Sequence, residues 1–131
     1  MRLLLDTHIW VWNLLDPSKL SRRAARAIAD ADSQLWLSPI SVWEFLIMVE
    51  RGRIRVQGDA GAWIDQAFAK APIREAPLTH EIVRASRRLA FAHQDPADRF
   101  IAATAQVLDL VLVTADEELL RTKGLRVLAG R

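Results

Sequence analysis

Short hydrophobic runs alternate along the chain with longer segments in which apolar residues recur every three or four positions. The short runs predict strands at 3–5, 35–37, 73–76, 110–114 and 125–128. The longer, amphipathic segments predict helices at 7–12, 19–31, 38–51, 59–70, 79–91 and 95–110. This alternation indicates an α/β fold in which a mainly parallel sheet of about four to five strands is covered by helices.

Length and composition narrow the class of protein. The 131 residues correspond to about one domain, and because we find no repeat or linker we expect a single domain over 1–131. A hydrophobic fraction of 51% beside 26% charged residues excludes a disordered or collagen-like chain. The lack of cysteine excludes disulfides, cysteine nucleophiles and thiolate zinc sites. The apolar runs are too short for a signal peptide or a membrane span, so we expect a cytoplasmic protein without membrane attachment.

The distribution of basic residues is more informative than the net charge. Eighteen basic and sixteen acidic residues leave a formal charge of +2, which is too small to indicate a nucleic-acid partner by itself. Arg51, Arg53 and Arg55 cluster at the predicted end of the 38–51 helix. They either contact RNA phosphates or form a solvated helix end that is favourable to the helix dipole, and the sequence leaves both interpretations open.

Four carboxylates follow predicted strands or lie near the start of the next helix. Asp6 ends the first strand, Glu44 lies in the helix after the second, Asp98 lies in the first turn of the 95–110 helix, and Asp116 follows the fourth strand. Ligands of open α/β sheets bind beyond the carboxyl ends of the strands, where we expect these residues to converge. Clustered carboxylates repel unless they are protonated or share a cation, and hard oxygen ligands favour Mg²⁺ or Mn²⁺. Such an ion activates water and neutralises a phosphate oxygen, which is the chemistry of phosphodiester hydrolysis.

Three of these acids also have a purely structural interpretation. Asp6 could cap the helix that follows it. Asp95 with Asp98 could form a capping box, and Thr114 with Glu117 could form another around Asp116. Helix caps would need neither a metal nor a substrate.

Glu44 is the most informative acid. It could complete a capping box that begins at Ser41, but that alternative leaves Ser38 and Pro39, a strong helix start, outside the helix. If the helix begins at Pro39, Glu44 lies in its second turn among large apolar side chains. A charge in such surroundings is costly unless it has a partner, which favours a functional role.

Four segments in this order resemble the signature segments of one nuclease family. They are LLLDT at 3–7, SPISVWE at 38–44, DPADRFIAATA at 95–105 and LVTAD at 112–116. Together they are similar to PIN-domain ribonucleases and, more narrowly, to the VapC-type toxins of bacterial toxin–antitoxin pairs. Each segment alone is a weak signal, whereas the ordered set of four is specific.

The resemblance implies a PIN-like three-layer fold and an endoribonuclease that depends on Mg²⁺ or Mn²⁺. It implies that Asp6, Glu44, Asp98 and Asp116 surround the metal. We hypothesise that Asp6 and Asp98 ligate it directly, whereas Glu44 and Asp116 ligate it or orient the attacking water. RNA cleavage would then leave a 5′-phosphate and a 3′-hydroxyl. The implied partners are an RNA substrate, a cognate VapB-type antitoxin and a second copy of the chain in a homodimer.

Four further residues lie beside these acids. The hydroxyls of Thr7 and Thr114 either hold water next to the metal ligands or cap helices. Asp95 adds a carboxylate whose share in the site the sequence does not define. Arg99, next to Asp98, either contacts the scissile phosphate or pairs with a neighbouring acid.

Two tryptophans close to Asp6 are candidates for an interface. Trp10 and Trp12 are separated by about 200° on a helix, so both cannot face the core. We expect one of them, with the apolar segment 45–49, to contact the second copy of a homodimer or an antitoxin helix.

Two alternative functions follow from the same residues. In the first, the chain keeps the PIN scaffold as an inert binding module and the acids serve only as caps. In the second, it is a receiver-like signalling domain with a phosphorylated aspartate. A receiver needs paired acids near the amino terminus and a lysine after a late strand, and none of Lys19, Lys70 and Lys123 is placed for that role.

Overall fold

The computed structural model describes residues 1–90 and 94–131. The strands in this part of the chain are β1 (Arg2–Leu5), β2 (Gln34–Leu37), β3 (Arg74–Glu75), β4 (Val111–Thr114) and β5 (Val127–Ala129). The helices are α1 (Thr7–Leu15), α2 (Arg22–Ala29), α3 (Pro39–Glu50), α4 (Ala60–Lys70), α5 (His80–Ser86), α6 (Pro96–Val107) and α7 (Glu117–Leu120). None of these helices is both long enough and apolar enough to cross a bilayer.

The strands form one sheet in the order β3-β2-β1-β4-β5. β1 is central and pairs with β2 and β4, so that Leu3 lies opposite Leu35 on one side and Val111 on the other. Every strand pair is parallel, so all the strands end at the same edge of the sheet. The predicted α/β fold with a parallel sheet is confirmed, and the residues that follow β1 and β4 meet at that edge.

Hydrophobic cores cover both faces of the sheet. Leu3 and Leu5 belong to one core, which contains Trp10 of α1 and Phe45 of α3. Leu4 belongs to the other core, which contains the buried residues of α6. Burial on both faces explains why β1 is a continuous leucine run rather than an alternating one. This central strand fixes the position of Asp6, the next residue.

Helix α6 packs closely against the second face of the sheet. Residues 101–105 are all buried, and three of the five are alanines whose small side chains allow the helix to approach its neighbours. The helix begins at Pro96, with Asp95 as its N-cap, and its first turn carries Asp98. Tight packing of the helix body therefore holds Asp98 at a defined place near the sheet edge.

Several element boundaries differ from the predicted ones, mostly because of capping. α2 begins at Arg22 rather than at 19, because the Ser21 hydroxyl accepts a hydrogen bond from the Ala24 N–H. α5 ends at Ser86, whereas the periodicity predicts a helix to 91, a residue that lies outside the described ranges. α7, which the periodicity does not predict, is a single turn that begins after its N-cap Asp116.

Candidate active site

A cleft of about 280 Å³ lies at the carboxyl edge of the sheet. Its lining includes the four acids selected from the sequence, together with Asp95 and three other residues. The lining residues are Asp6, His8, Trp12, Glu44, Asp95, Asp98, Ala115 and Asp116. Side chains from distant parts of the chain are thus brought to one concave surface, where a ligand could reach all of them.

Asp6 lies at the bottom of this arrangement, with only 8% of its surface exposed. Its Oδ1 accepts a hydrogen bond from the Thr7 N–H at 2.8 Å, which makes it the N-cap of α1. Its Oδ2 accepts a hydrogen bond from the Thr114 hydroxyl at 2.6 Å. Burial raises the pKa of this carboxyl and the negative charge of Asp116 raises it further, whereas the two hydrogen bonds and His8 lower it.

Glu44 occupies the second turn of α3, because that helix begins at Pro39. The Ser38 hydroxyl accepts a hydrogen bond from the Ile40 N–H at 3.1 Å and serves as the N-cap. The capping box that would begin at Ser41 is therefore not formed, since Ser41 lies inside the helix and is fully buried. Glu44 is half-buried at the cleft. Its charge is therefore partly removed from water, which is the unfavourable situation that the sequence indicates.

The Thr7 hydroxyl is the partner of Glu44. Thr7 Oγ1 lies 2.6 Å from Glu44 Oε1 and 2.9 Å from Ser41 Oγ. Because a hydroxyl has one proton, Thr7 can donate to the carboxylate while it accepts from Ser41. Burial raises the pKa of Glu44, and the charges of Asp6 and Asp95 raise it further, whereas the Thr7 hydrogen bond and His8 lower it.

Asp95 and Asp116 combine capping with a place in the cleft. Asp95 Oδ1 accepts a hydrogen bond from the Ala97 N–H at 2.9 Å and caps α6. Asp116 Oδ1 accepts from the N–H groups of Glu118 and Leu119 at 2.8 and 3.2 Å and caps α7. An ionised carboxylate has about four lone-pair sites, so the capping bonds alone do not use all of its acceptor capacity, and both residues line the cleft. The structural interpretation therefore does not exclude the functional one.

The two threonines orient acids rather than capping helices. Thr7 bonds to Glu44, and Thr114 bonds to Asp6 while its hydroxyl also accepts from the Asp116 N–H at 3.1 Å. The N-caps of α1 and α7 are the aspartates Asp6 and Asp116. Thr7 and Thr114 are both fully buried, so their hydroxyls act on the acids from behind the cleft.

Arg99, for which the sequence leaves open a phosphate contact or a pair with a neighbouring acid, lies between two helices. It is buried, and its Nη1 donates to the Ser86 carbonyl at 2.9 Å, a bond that joins α6 to the end of α5. The neighbouring Asp98, by contrast, lines the cleft. This geometry gives Arg99 a role in helix packing and does not support contact with a phosphate in the cleft.

The charge in the cleft fits a hard divalent cation. All the candidate ligands are carboxylate oxygens, the donors that Mg²⁺ and Mn²⁺ prefer, and burial together with neighbouring negative charge raises the pKa of both Asp6 and Glu44. Within residues 1–90 and 94–131, no three acidic or histidine side chains are already close enough together to hold an ion. The donor types that line the cleft suit a hard cation, whereas the described side chains do not form a closed ligand set.

A second, larger hollow of about 690 Å³ adjoins the cleft between α1 and α3. Trp12 lines it, whereas Trp10 is 3% exposed and packs against Phe45 and Phe68 with ring centroids 5.5 and 5.9 Å apart. Trp10 is therefore a core residue, and of the pair only Trp12 is placed at a surface. Trp43, which sequence reasoning did not single out, also lines the hollow and is 56% exposed.

Ser41 is another residue that sequence reasoning did not assign to the site. It lies one turn before Glu44 on α3, and its hydroxyl contacts Thr7. The spacing i, i+3 places two side chains on one face of a helix, and this signal was available in the sequence. What the spacing does not reveal is that Thr7, from another element, lies between them.

The fold and the cleft define a class of protein. A family model for the PIN domain matches residues 3–125, and the chain belongs to the PIN-domain family. This result confirms the resemblance of the four sequence segments.

Particular relatives agree with this assignment. The chain is 33% identical over 117 residues to Ribonuclease VapC22 of Mycobacterium tuberculosis, with 88% of each sequence covered. Its fold is similar to a chain of VapBC2 from Rickettsia felis bound to a promoter DNA fragment, with a TM-score of 0.74, 15% identity and full coverage of both chains. It is also similar to a chain of VapBC-1 from nontypeable Haemophilus influenzae, with a TM-score of 0.68, 18% identity and coverage of 98% and 97%.

The raised pKa of Asp6 predicts how stability changes with pH. Because the folded protein holds the pKa of Asp6 above its ordinary value of 3.8, ionisation of Asp6 destabilises the folded state. This loss of stability is absent below pH 3.8, grows as the pH rises toward the raised pKa and is complete above it. In metal-free buffer we expect Asp6→Asn to melt at a higher temperature than the wild type at pH 7. The difference should shrink toward about pH 3.5, as thermal denaturation followed by circular dichroism would measure.

Asp65→Asn is the matched control, because Asp65 is an exposed residue of α4 outside the cleft. Its melting temperature should follow that of the wild type across the same pH range. An Asp6→Asn protein that melts at or below the wild-type temperature at pH 7 would contradict the electrostatic account of the cleft.

Proposed function

We propose that this protein is a metal-dependent endoribonuclease and the toxin of a toxin–antitoxin pair. The observation that carries the proposal is the convergence of Asp6, Glu44, Asp98 and Asp116 on one cleft, with two of their pKa values raised. The 33% identity to a protein named Ribonuclease VapC22 supports RNA as the substrate. An RNA substrate also makes the cytoplasm the expected place of action.

Mg²⁺ or Mn²⁺ is the proposed cofactor, held by carboxylates of the cleft. Asp6 and Asp98 would ligate it directly, and Glu44 and Asp116 would complete the ligand set or orient the attacking water. When bound, such an ion lowers the pKa of a water and neutralises a phosphate oxygen. Asp95 lies at the same cleft and adds negative charge, as the raised pKa of Glu44 indicates.

The chain itself supplies position and orientation for the reaction. The Thr114 hydroxyl fixes Asp6 at 2.6 Å, and the Thr7 hydroxyl fixes Glu44 at 2.6 Å. These bonds hold two acids in defined rotamers before substrate arrives, which lowers the cost of orientation during the reaction. Water would attack phosphorus in line with the bond to the 3′ oxygen, and the products would carry a 5′-phosphate and a 3′-hydroxyl.

An inert PIN scaffold is the second candidate, because Asp6, Asp95 and Asp116 are all N-caps. Capping alone accounts for the position of these three acids but not for the half-buried Glu44, whose partner Thr7 belongs to another element. A receiver-like domain finds no support, since the chain belongs to the PIN-domain family.

The proposed partners are a VapB-type antitoxin and a second copy of the chain. Several structural neighbours are toxin–antitoxin complexes, among them one from Klebsiella pneumoniae and the VapBC-1 complex. A toxin with nuclease activity needs a partner that blocks it until it is required. The proposed nuclease activity and the proposed antitoxin therefore belong together.

Cleavage of RNA by purified protein tests the enzymatic proposal. With Mn²⁺ or Mg²⁺ we expect endonucleolytic fragments, and Asp6→Asn or Asp98→Asn should lower the rate at least about 100-fold, since even indirect partners of a metal cost 10- to 100-fold. Gel electrophoresis of labelled RNA would measure the cleavage rate, with Asp65→Asn as the active control. Full cleavage in EDTA, or an unimpaired Asp6→Asn, would refute the proposal, and inactive wild type would favour the inert scaffold.

Growth of a bacterial host tests the biological role. Expression of the wild-type chain should stop growth, because cleaved RNA halts protein synthesis, and co-expression of the cognate VapB-type partner should restore it. The Asp98→Asn variant should leave growth unaffected at equal protein level, whereas Asp65→Asn should arrest growth like the wild type. Normal growth with abundant, folded wild-type protein would argue against a toxin.

A further inference from the structure

A glycine outside the cleft lies between the two elements that hold Asp6. Gly130 is buried and follows β5, and its N–H donates to the Thr114 carbonyl at 2.8 Å. A side chain on Gly130 would point at Ile9, in the first turn of α1. Asp6 is bonded to the same two elements, through the Thr7 N–H and the Thr114 hydroxyl. Gly130 thus lies where the start of α1 and the end of β4 approach each other.

Space, rather than backbone conformation, requires glycine at this position. The φ angle of Gly130 is not positive, so the backbone alone would accept an alanine. A Cβ on Gly130 would overlap Ile9 Cδ1, lie 3.1 Å from Ile9 Cγ1 and lie 3.5 Å from the Thr114 carbonyl oxygen. The missing side chain therefore permits a close contact between α1 and the chain that follows β5.

Ile9 has no space into which it could retreat. Its side chain is fully buried in the core that also contains Leu5 and Trp10. Protein interiors are packed as densely as organic crystals, so a displaced methyl group must displace its neighbours. The Gly130→Ala substitution would therefore push on the first turn of α1.

The chain after β5 is also held on its other side. The Ser21 N–H donates to the Gly130 carbonyl at 2.8 Å, and the Ser21 hydroxyl donates to the Ala129 carbonyl at 2.9 Å. The same hydroxyl accepts a hydrogen bond from the Ala24 N–H at 3.0 Å and caps α2. A retreat of this segment from α1 would break its bonds to α2 and to β4. Added volume at Gly130 would therefore widen the separation between α1 and β4.

That separation determines how the acids are placed. The Thr114 hydroxyl of β4 bonds to Asp6, and the Thr7 hydroxyl of α1 bonds to Glu44, both at 2.6 Å. Moving α1 away from β4 stretches the first bond and displaces Thr7 relative to Glu44. Mg²⁺ tolerates little departure from octahedral geometry, so small displacements of carboxylates weaken its binding.

We propose that Gly130 is a positioning residue of the cleft, whose lack of a side chain sets the approach of α1 to β4 that Asp6 and Glu44 need to act together. Gly130 acts through Ile9 and Thr114 and contacts neither metal nor substrate. For its effect on RNA cleavage, the inference rests on the proposed nuclease function. Its effect on the hydrogen bonds around Asp6 does not depend on that function and can be measured without metal.

Hydrogen exchange in the metal-free protein measures the local geometry. In EDTA, the Thr7 amide, which donates to the Asp6 carboxylate, should exchange faster in Gly130→Ala than in the wild type. The Ile82 amide, which donates to the Thr79 hydroxyl at the start of α5, should exchange at the wild-type rate. Nuclear magnetic resonance would resolve the two amides, and circular dichroism melting would establish that each variant is folded.

Mn²⁺ affinity and the rate of cleavage measure the consequence for the site. Gly130→Ala should raise the Kd for Mn²⁺ roughly 10- to 100-fold, the range for residues that orient metal ligands without touching the metal. At saturating Mn²⁺, kcat for labelled RNA should fall while KM keeps its wild-type value, because Gly130 does not contact the substrate. Gly61→Ala, at an exposed glycine of α4, is the matched control and should change none of these quantities.

A second substitution tests whether the contact with Ile9 is the cause. Ile9→Val removes the Cδ1 methyl that a Cβ on Gly130 would overlap. Combined with Gly130→Ala, it should therefore restore most of the lost Mn²⁺ affinity and slow the exchange of the Thr7 amide. Ile82→Val makes the same change at a residue that is fully buried in the core on the other face of the sheet, and it should restore neither.

The possible results separate the two proposals. Wild-type protein that neither binds Mn²⁺ nor cleaves RNA would refute the nuclease function, and exchange of the Thr7 amide would still test the geometry. The positioning role is overturned if Gly130→Ala matches the wild type in exchange and Mn²⁺ affinity, or if Ile9→Val restores the losses no better than Ile82→Val. Should Gly130→Ala fail to fold, the double variant with Ile9→Val must fold and bind Mn²⁺, and a double variant that does neither also overturns the role.

Discussion

A buried carboxylate at the end of the central strand is the constraint on which the site depends. Asp6 receives hydrogen bonds from Thr7, the first residue of α1, and from Thr114, the last residue of β4. Parallel pairing of β1 with β4 places Thr114 beside it, and the same pairing brings Asp116 to the cleft. The side chain thus joins the start of a helix, the end of a neighbouring strand and the candidate site.

Because of that constraint, the same aspartates both cap helices and line the cleft. The acids that begin α1, α6 and α7 stabilise these helices with one oxygen, while the sheet edge directs them to a common cleft. Folding therefore concentrates negative charge, and burial makes that charge costlier, as the raised pKa values of Asp6 and Glu44 indicate. A divalent cation would relieve this cost, so the stability of the fold and the proposed activity are coupled through the same groups.

The sequence predicted those features that depend on local periodicity and chain order. The leucine run of β1, the Ser38–Pro39 start of α3 and the Asp95–Pro96 start of α6 all correspond to the structure. Contacts between elements could not be read in the same way: the bond from Thr7 to Glu44, the burial of Trp10 and the packing role of Arg99 depend on which surfaces meet. α5 ends at Ser86 although its amphipathic pattern continues, so the pattern alone did not locate the end of this helix.

Direct titration with Mn²⁺, followed by electron paramagnetic resonance, tests most directly whether the converged carboxylates form a metal site. We expect the wild type to bind Mn²⁺, and single amide replacements of Asp6, Glu44, Asp98 and Asp116 each to weaken binding by about tenfold or more. Replacement of the exposed Asp65 should have no effect. Absence of binding by the wild type, or equal affinity in all the variants, would contradict the account.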